Sequence, residues 1–274
     1  MNIPELIRKT GLRRGLSPRT IKTYDHCVGT FFKECNKEPK EVKKKDVIDF
    51  LDKLIEKNSA GSTLNVYLNA LNFFYREILN RKLMIGIRYS KTPKKLPIVL
   101  TKDEIKKLIY SISNSKHKLI VKLMYSTGLR VSELVNLKVK DLEFDKNYGW
   151  VRKGKGSKDR LFIIANNLKE ELKHFISNKE INHESYLFKG FKNHLSVMSV
   201  YRIIKSAAKL SKIQKNVHPH TLRHSFATHL VEDGYDATSV QPLMGHNSVQ
   251  TTLMYLHIAS PSMISVKSPL DSLT

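Results

Sequence analysis

Two arginines, a lysine, several histidines and a late tyrosine fall where the chain turns into or out of helices, and such residues together can handle a phosphate. His218-Pro-His-Thr-Leu-Arg-His224 is the first group. Thr221 reads as a helix cap, followed by an apolar face of Leu222, Phe226 and Leu230 that ends near Gly234. His220 and Arg223 then share a helix start, where free amides and the helix dipole favour an anion. Thr127-Gly-Leu-Arg-Val-Ser-Glu-Leu134 puts Arg130 just after a glycine turn and just before another helix. Two arginines so placed can fork one phosphate from two sides. Arg152-Lys-Gly-Lys-Gly-Ser-Lys158 reads as a hairpin turn with Lys155 at its tip, its glycines admitting close backbone approach. Leu243-Met-Gly-His246 and Thr251-Thr-Leu-Met-Tyr255 complete the set.

Each piece alone has a plainer reading. A lone arginine at a helix start usually makes a surface ion pair. A Gly-Lys-Gly turn is usually only a turn, and a tyrosine at helical spacing is usually packing. His218, His220, His224 and His229 lack a thiol or carboxylate partner in a known ligand pattern, so no metal and no cofactor are expected.

The elements that must position these residues follow from periodicity and punctuation. Up to about Ile87 the chain reads as successive amphipathic helices. Ser17 caps one, with Pro18 in its first turn and Ile21, Tyr24, Val28, Phe31 and Phe32 on its apolar side. A second runs from Asp46 to Glu56 over Val47, Phe50, Leu51 and Leu54. A third starts near Ser62 and buries Leu64, Tyr67, Leu68, Leu71, Phe74 and Tyr75. Arg88 to Pro97, with two prolines, basic residues and no acid, reads as an extended linker. Thr101 to Glu104 matches a capping box. A further helix covers about Lys116 to Tyr125, ending near Gly128, and another begins at Ser132 or just before it. Strands are expected at Leu142–Phe144, Trp150–Arg152 and Arg160–Ile164, with turns at Asp145–Gly149 and Gly154–Ser157. Helices return from about Asn167 to the end.

Composition names a partner class. Lys and Arg number 48 against 25 Asp and Glu, a formal net charge of +23 over 274 residues, which favours a polyanion such as nucleic acid. A solubility adaptation or a ribosome-associated protein would carry the same excess, so charge alone gives no chemistry. Cys27 and Cys35 read as helix-packing residues of a reducing compartment. No apolar run nears the roughly 18 residues of a membrane span, and Met1–Thr10, with Glu5, Arg8 and Lys9, does not read as a secretory leader. A cytoplasmic protein is expected.

In their order, the pieces resemble the tyrosine recombinase, or phage-integrase, family, and within it the Xer type. The family order of Arg, Lys, His-x-x-Arg, His or Trp, then Tyr is met by Arg130, Lys155, His220-x-x-Arg223, His246 and Tyr255. Thr-Gly-Leu-Arg-Val-Ser-Glu-Leu, Leu-Arg-His-Ser-Phe-Ala-Thr-His and Gly-His-Asn-Ser-Val-Gln-Thr-Thr are family-like as well. The match spans roughly Leu96 to Ile258, and the helical first part is similar to the family's core-binding domain.

The resemblance implies a mainly α fold with a small β-hairpin or three-stranded sheet, arranged as a two-domain C-shaped DNA clamp. A helical, SAM-like core-binding domain would cover 1–87, a basic linker 88–97, and the catalytic domain with its C-terminal tail 98–274. The implied activity is site-specific recombination through a 3′-phosphotyrosine intermediate, without metal or ATP, in dimer resolution or in integration and excision of a mobile element. Tyr255 would be the nucleophile, with Arg130 and Arg223 on the phosphate and Lys155 as general acid to the 5′-oxygen. His220 would assist the tyrosine's proton transfer, His246 would donate to the phosphate, and Glu133 would orient a neighbour. Arg19, Lys22, Lys91, Lys94, Lys95, Arg152, Lys153, Lys158 and Arg160 are expected to contact DNA. The partners implied are double-stranded DNA with a specific recombination site and four protomers on two duplexes, with or without a helper protein, at the nucleoid and away from membranes. A type IB topoisomerase-like activity and a catalytically silent DNA-binding regulator are the alternatives. Departures are Gly11 inside a short first helix, expected to weaken clamping, and Pro242, acceptable if its helix is capped by Thr238 or Ser239. Met263, Ile264, Val266 and Leu270 are candidates for docking a tail into a neighbouring subunit.

Overall fold

The computed structural model describes residues 1–83, 87, 90, 91, 96–152, 159–191, 193–245, 250–253 and 255. They form two units, Met1–Lys95 and Leu96–Thr274, each with its own apolar core.

The first unit consists of α1 (Ile3–Arg13), α2 (Pro18–Cys35), α3 (Lys44–Glu56) and α4 (Gly61–Asn72), the last running into a π-helical turn at Phe73–Ile78. Local capping sets the starts. Asn2 Oδ1 accepts from the Glu5 amide at 3.2 Å, and Ser17 Oγ accepts from the Thr20 amide at 3.1 Å. Asp46 lies in the first turn of α3, its carboxylate accepting from the Lys43 amide at 2.7 Å, so the helix begins ahead of the expected position. Val28, Phe31, Phe50, Leu51, Leu68, Leu71 and Phe74 form the core, and its rings meet edge to face. Phe31 and Phe50 have centroids 5.2 Å apart, and Phe50 and Tyr67 5.3 Å. Cys27 is buried, Cys35 is half-buried, and both are free thiols.

The second unit opens with α5 (Lys102–Tyr110), α6 (Ser115–Thr127) and α7 (Val131–Asn136). An antiparallel sheet of β1 (Leu142–Glu143), β2 (Tyr148–Val151) and β3 (Arg160–Ile163) follows in that order. The chain then forms α8 (Asn166–Asn178), α9 (Val197–Leu210), α10 (Pro219–Glu232), α11 (Ala237–Met244) and α12 (Gln250–Leu253). Ile120, Leu123 and Met124 of α6 lie at the centre of the core, fully buried. The fold is thus mainly helical with one small sheet, as the sequence implied.

Four local readings are corrected. Phe144–Lys146 is a single 3-10 turn closed by Asn147 in the left-handed region, so β1 is shorter and β2 starts at Tyr148. Gly149 is therefore in a strand, opposite Phe162, and not in the turn. Residues 179–191 and 193–196 are not helical: Val139 N donates to Ser185 O at 3.1 Å, Leu187 N donates to Leu137 O at 2.8 Å, and Leu187 and Phe188 are buried. Adjacent apolar residues held by strand-like bonds have no helical stripe to offer. Finally, α11 is capped at Asp236 and starts at Ala237, two or three residues earlier than expected, leaving Pro242 inside the helix. Pro242 is the sixth residue of α11, beyond the first turn, so the helix lacks the backbone bond that its amide would have made.

Candidate active site

Arg130 is the residue before α7. Glu133, one turn on, is buried and holds it twice: Oε2 accepts from the Arg130 amide at 2.8 Å and Oε1 from its guanidinium at 2.7 Å. Gly128, which ends α6 with a positive φ of 59°, makes room for this turn. A side chain there would be strained by the backbone, and a Cβ would lie 2.4 Å from the Phe226 ring.

Arg223 is buried in α10. That helix starts one turn earlier than the sequence suggested, with Pro219 in first position and His218 before it. Proline lacks the amide that would be unsatisfied at that point and already has a helical φ. Thr221 therefore sits inside the first turn, its hydroxyl accepting from the His218 amide at 3.3 Å. His220 is exposed in that turn, and Arg223 lies beyond it in the second.

The end of α11 organises the cluster. The last carbonyls of a helix lack intrahelical partners and carry the negative end of its dipole. Three arginines take three successive ones: Arg160 donates to Leu243 O, Arg223 to Met244 O and Arg130 to Gly245 O, the last at 3.0 Å. Arg223 also donates to Gly128 O, tying the end of α6 to the end of α11. Glu133 is the carboxylate within the group, with Arg160 Nη2 at 2.6 Å. Three guanidiniums against one carboxylate leave a net positive centre suited to an anion.

The electrostatics agree with this. Burial, then Arg130, pushes Arg223 down to about 10. Burial opposes ionisation of Glu133, yet the Arg160 charge and the donors on its oxygens outweigh it and hold the carboxyl below its ordinary range. Tyr255 is fully buried against Phe226, Ala227, Val231, Val240 and Met244. Burial raises its hydroxyl to about 12, while the charges of Arg223 and Arg130 pull the other way. The hydroxyl lies 3.0 Å from His224 Nδ1. His224, pushed down to about 4 by burial and then by His220 and Arg223, is neutral near neutral pH. His220, although exposed as a residue, is also lowered by partial desolvation of its ring and then by the Arg223 and Arg130 charges.

Arg130, Glu133, Arg223 and Tyr255 therefore converge, and His220 stands at the rim, its ring centroid 6.4 Å from that of His224. Lys155 and His246 lie outside the described residues, as do Lys94, Lys95, Lys153, Lys158 and the four tail residues from Met263 to Leu270. Arg19 and Lys22 are exposed one turn apart on α2, and Lys91 is exposed. Arg152 lies over the Trp150 ring at 4.6 Å and pairs with Asp159 at 3.2 Å. Arg160 is turned inward. The sequence reading gave no role to His224, although it follows His220 by one helical turn and so shares its face. Nor did it foresee the α11 carbonyls, although a glycine after a helix marks where they end. Among the described residues no group of His, Cys, Asp and Glu is arranged to hold a metal ion, and no helix is long and apolar enough to cross a membrane.

The second unit thus gathers three arginines and a buried tyrosine into one net positive cluster. Residues 98–261 match the phage integrase family and residues 5–85 its N-terminal SAM-like domain. The chain belongs to the phage integrase family and is a tyrosine-type site-specific recombinase. It is 38% identical over 251 residues to the tyrosine recombinase XerA of Pyrococcus horikoshii, covering 90% of this chain and 85% of that one. It is 34% identical over 256 residues to a tyrosine recombinase of Thermosipho africanus, covering 89% and 90%. A crystal structure of XerA recombinase aligns with a TM-score of 0.56 at 30% identity over 96% of this chain and 95% of that one. The fold is also shared with the XerH recombinase in its post-cleavage complex with a palindromic difH substrate, with a TM-score of 0.74, 23% identity and coverage of 98% and 85%.

Proposed function

We propose that Arg130, Arg223 and Tyr255, joined by Lys155, His220 and His246, form the strand-transfer centre of this recombinase. The observation that carries the reading is the pair of arginines fastened to the end of α11, with both charges reaching the buried Tyr255 hydroxyl. The tyrosine oxygen attacks phosphorus, and the bond to the 5′-oxygen breaks as the bond to tyrosine forms. The products are a 3′-phosphotyrosine and a free 5′-hydroxyl. Arg130 and Arg223 take the non-bridging oxygens, where charge grows in the transition state. Lys155 gives the leaving oxygen its proton, His220 assists removal of the tyrosine's proton, and His246 donates to the phosphate. Glu133 keeps Arg130 in place. A 5′-hydroxyl of another strand reverses the step; the retained phosphoester makes ATP unnecessary, and the two guanidiniums supply the charge neutralisation that a metal would otherwise give.

The substrate is double-stranded DNA carrying a specific recombination site. Residues 1–87 act as the core-binding domain, 98–274 as the catalytic domain and 88–97 as the linker between them. Arg19, Lys22, Lys91, Lys94, Lys95, Arg152, Lys153 and Lys158 take backbone phosphates. Exchange between two duplexes calls for four protomers, at the nucleoid of the cytoplasm, in dimer resolution or mobile-element movement.

The test uses nicked duplexes recovered by binding selection from a randomised pool, incubated in chelator. Wild type is expected to give a covalent protein–DNA band on a denaturing gel. Tyr255→Phe is expected to give none while its DNA affinity stays within about twofold. A band from the phenylalanine variant would overturn the assignment, and binding without any band from wild type would favour a silent regulator.

A further inference from the structure

The sequence places Arg160 beside the basic hairpin, among residues expected to touch DNA. Its side chain is only 9% exposed, and its guanidinium points into the protein. Nη2 meets Glu133 Oε2 at 2.6 Å, and Nη1 donates to Leu243 O and to Leu161 O, the latter at 3.3 Å. Nε is buried, with no partner among the described residues. So placed, its guanidinium is committed to partners inside the protein and does not project to the surface as a DNA contact.

From the structure we infer that Arg160 is a positioning residue for cleavage: it fixes Glu133, and through it Arg130, against the end of α11. This rests on the reading of Arg130 as a phosphate ligand. Three observations carry it. First, the Glu133 oxygen that takes Arg160 is the same Oε2 that takes the Arg130 amide, while the other oxygen takes the Arg130 guanidinium. A carboxylate held by all three donors has one rotamer, and so does the arginine it grips. Second, Arg160 and Arg130 bind carbonyls two residues apart, Leu243 and Gly245, so β3 and the start of α7 share one anchor. Third, Gly245 keeps its place against this guanidinium. It has a φ of 58°, and a Cβ there would stand 2.6 Å from Arg160 Cδ and 3.5 Å from Arg130 Nη1. The planar fork of arginine spans a carboxylate and a carbonyl together, which a lysine ammonium cannot do in the same geometry.

The decisive variant is Arg160→Lys in the full-length protein, which retains a positive charge beside Glu133. The expected result is cleavage slowed about 10- to 100-fold at saturating DNA, in line with the cost of a misplaced catalytic group. DNA affinity and its salt dependence should equal those of wild type. Arg160→Lys combined with Glu133→Gln should be no slower than the slower single variant, because both act through Arg130. Gly245→Ala, which presses on the same guanidinium from the other side, should slow cleavage as well. If Arg160→Lys cleaves at the wild-type rate, or loses affinity with a shallower salt slope and unchanged cleavage at saturation, the inference is wrong and Arg160 is a filler or a DNA contact. If wild type itself forms no covalent product, the underlying reading of the site has failed instead.

Discussion

At the residue scale the site is a set of charges whose donors are already directed. Two of the five guanidinium donors of Arg130 go to Glu133 and Gly245, so its orientation is fixed by the protein before any ligand arrives. Tyr255 and His224 form a neutral pair, the tyrosine raised to about 12 and the histidine lowered to about 4. The unfolded chain takes up the His224 proton below its ordinary value of 6.5, whereas the folded chain does so only near 4. Acidification through that window therefore favours unfolding, by an amount approaching about 3 kcal/mol at its lower end. Urea midpoints measured at pH 4.5 and 7 should differ for wild type, and the difference should shrink in His224→Gln. A remainder will persist, since burial lowers His218, His220 and His229 in the same direction. Equal pH dependence in the two proteins would mean that His224 is not buried as a neutral ring.

At the element scale, helix ends do the positioning. Arg130, Arg223 and Arg160 come from the start of α7, the second turn of α10 and the first residue of β3, and they meet because α11 ends among them. Gly128 joins α6 to this arrangement, so Gly128→Ala meets both a positive φ and the Phe226 ring. A loss of roughly 1–3 kcal/mol in unfolding free energy is expected, with a matching fall in Tm by calorimetry. An unchanged Tm would show that the turn can relax. Much of this was legible in the sequence. Ser17, Thr101 and Gly128 announced their helix ends, and the apolar stripes of α2, α3 and α4 announced the first core. What was not legible depended on tertiary partners. Arg160 looked like one more basic residue of a hairpin, and only the placement of Glu133 and Leu243 turns it inward. Thr221 has the chemistry of a cap, but Pro219 captures the first helical position ahead of it. The stretch at 181–188 reads as helix in the sequence, yet its backbone bonds pair with Leu137 and Val139.

At the scale of the whole molecule, the excess of 48 basic over 25 acidic residues bears on how DNA is held. Binding that engages six to ten phosphates loses about 10³- to 10⁵-fold in affinity between 50 and 200 mM salt, with a nearly linear log–log plot. A steep slope of that order is expected in fluorescence anisotropy titrations, for Tyr255→Phe as for wild type, because the neutral phenol adds no charge. A shallow slope would mean that the positive excess serves solubility and not DNA. Each unit has a core of its own, so the charge is carried by two separately packed bodies.

If Tyr255 is the covalent attachment point of DNA, the chemistry of the adduct must carry its signature. The covalent complex formed on a nicked duplex in chelator would be digested with protease and nuclease, and the nucleotide-bearing peptide sequenced by mass spectrometry. One modified peptide is expected, with a nucleotide 3′-phosphate on the Tyr255 oxygen and a free 5′-hydroxyl on the released strand. Attachment at any other residue, or through a 5′-phosphate, would contradict it.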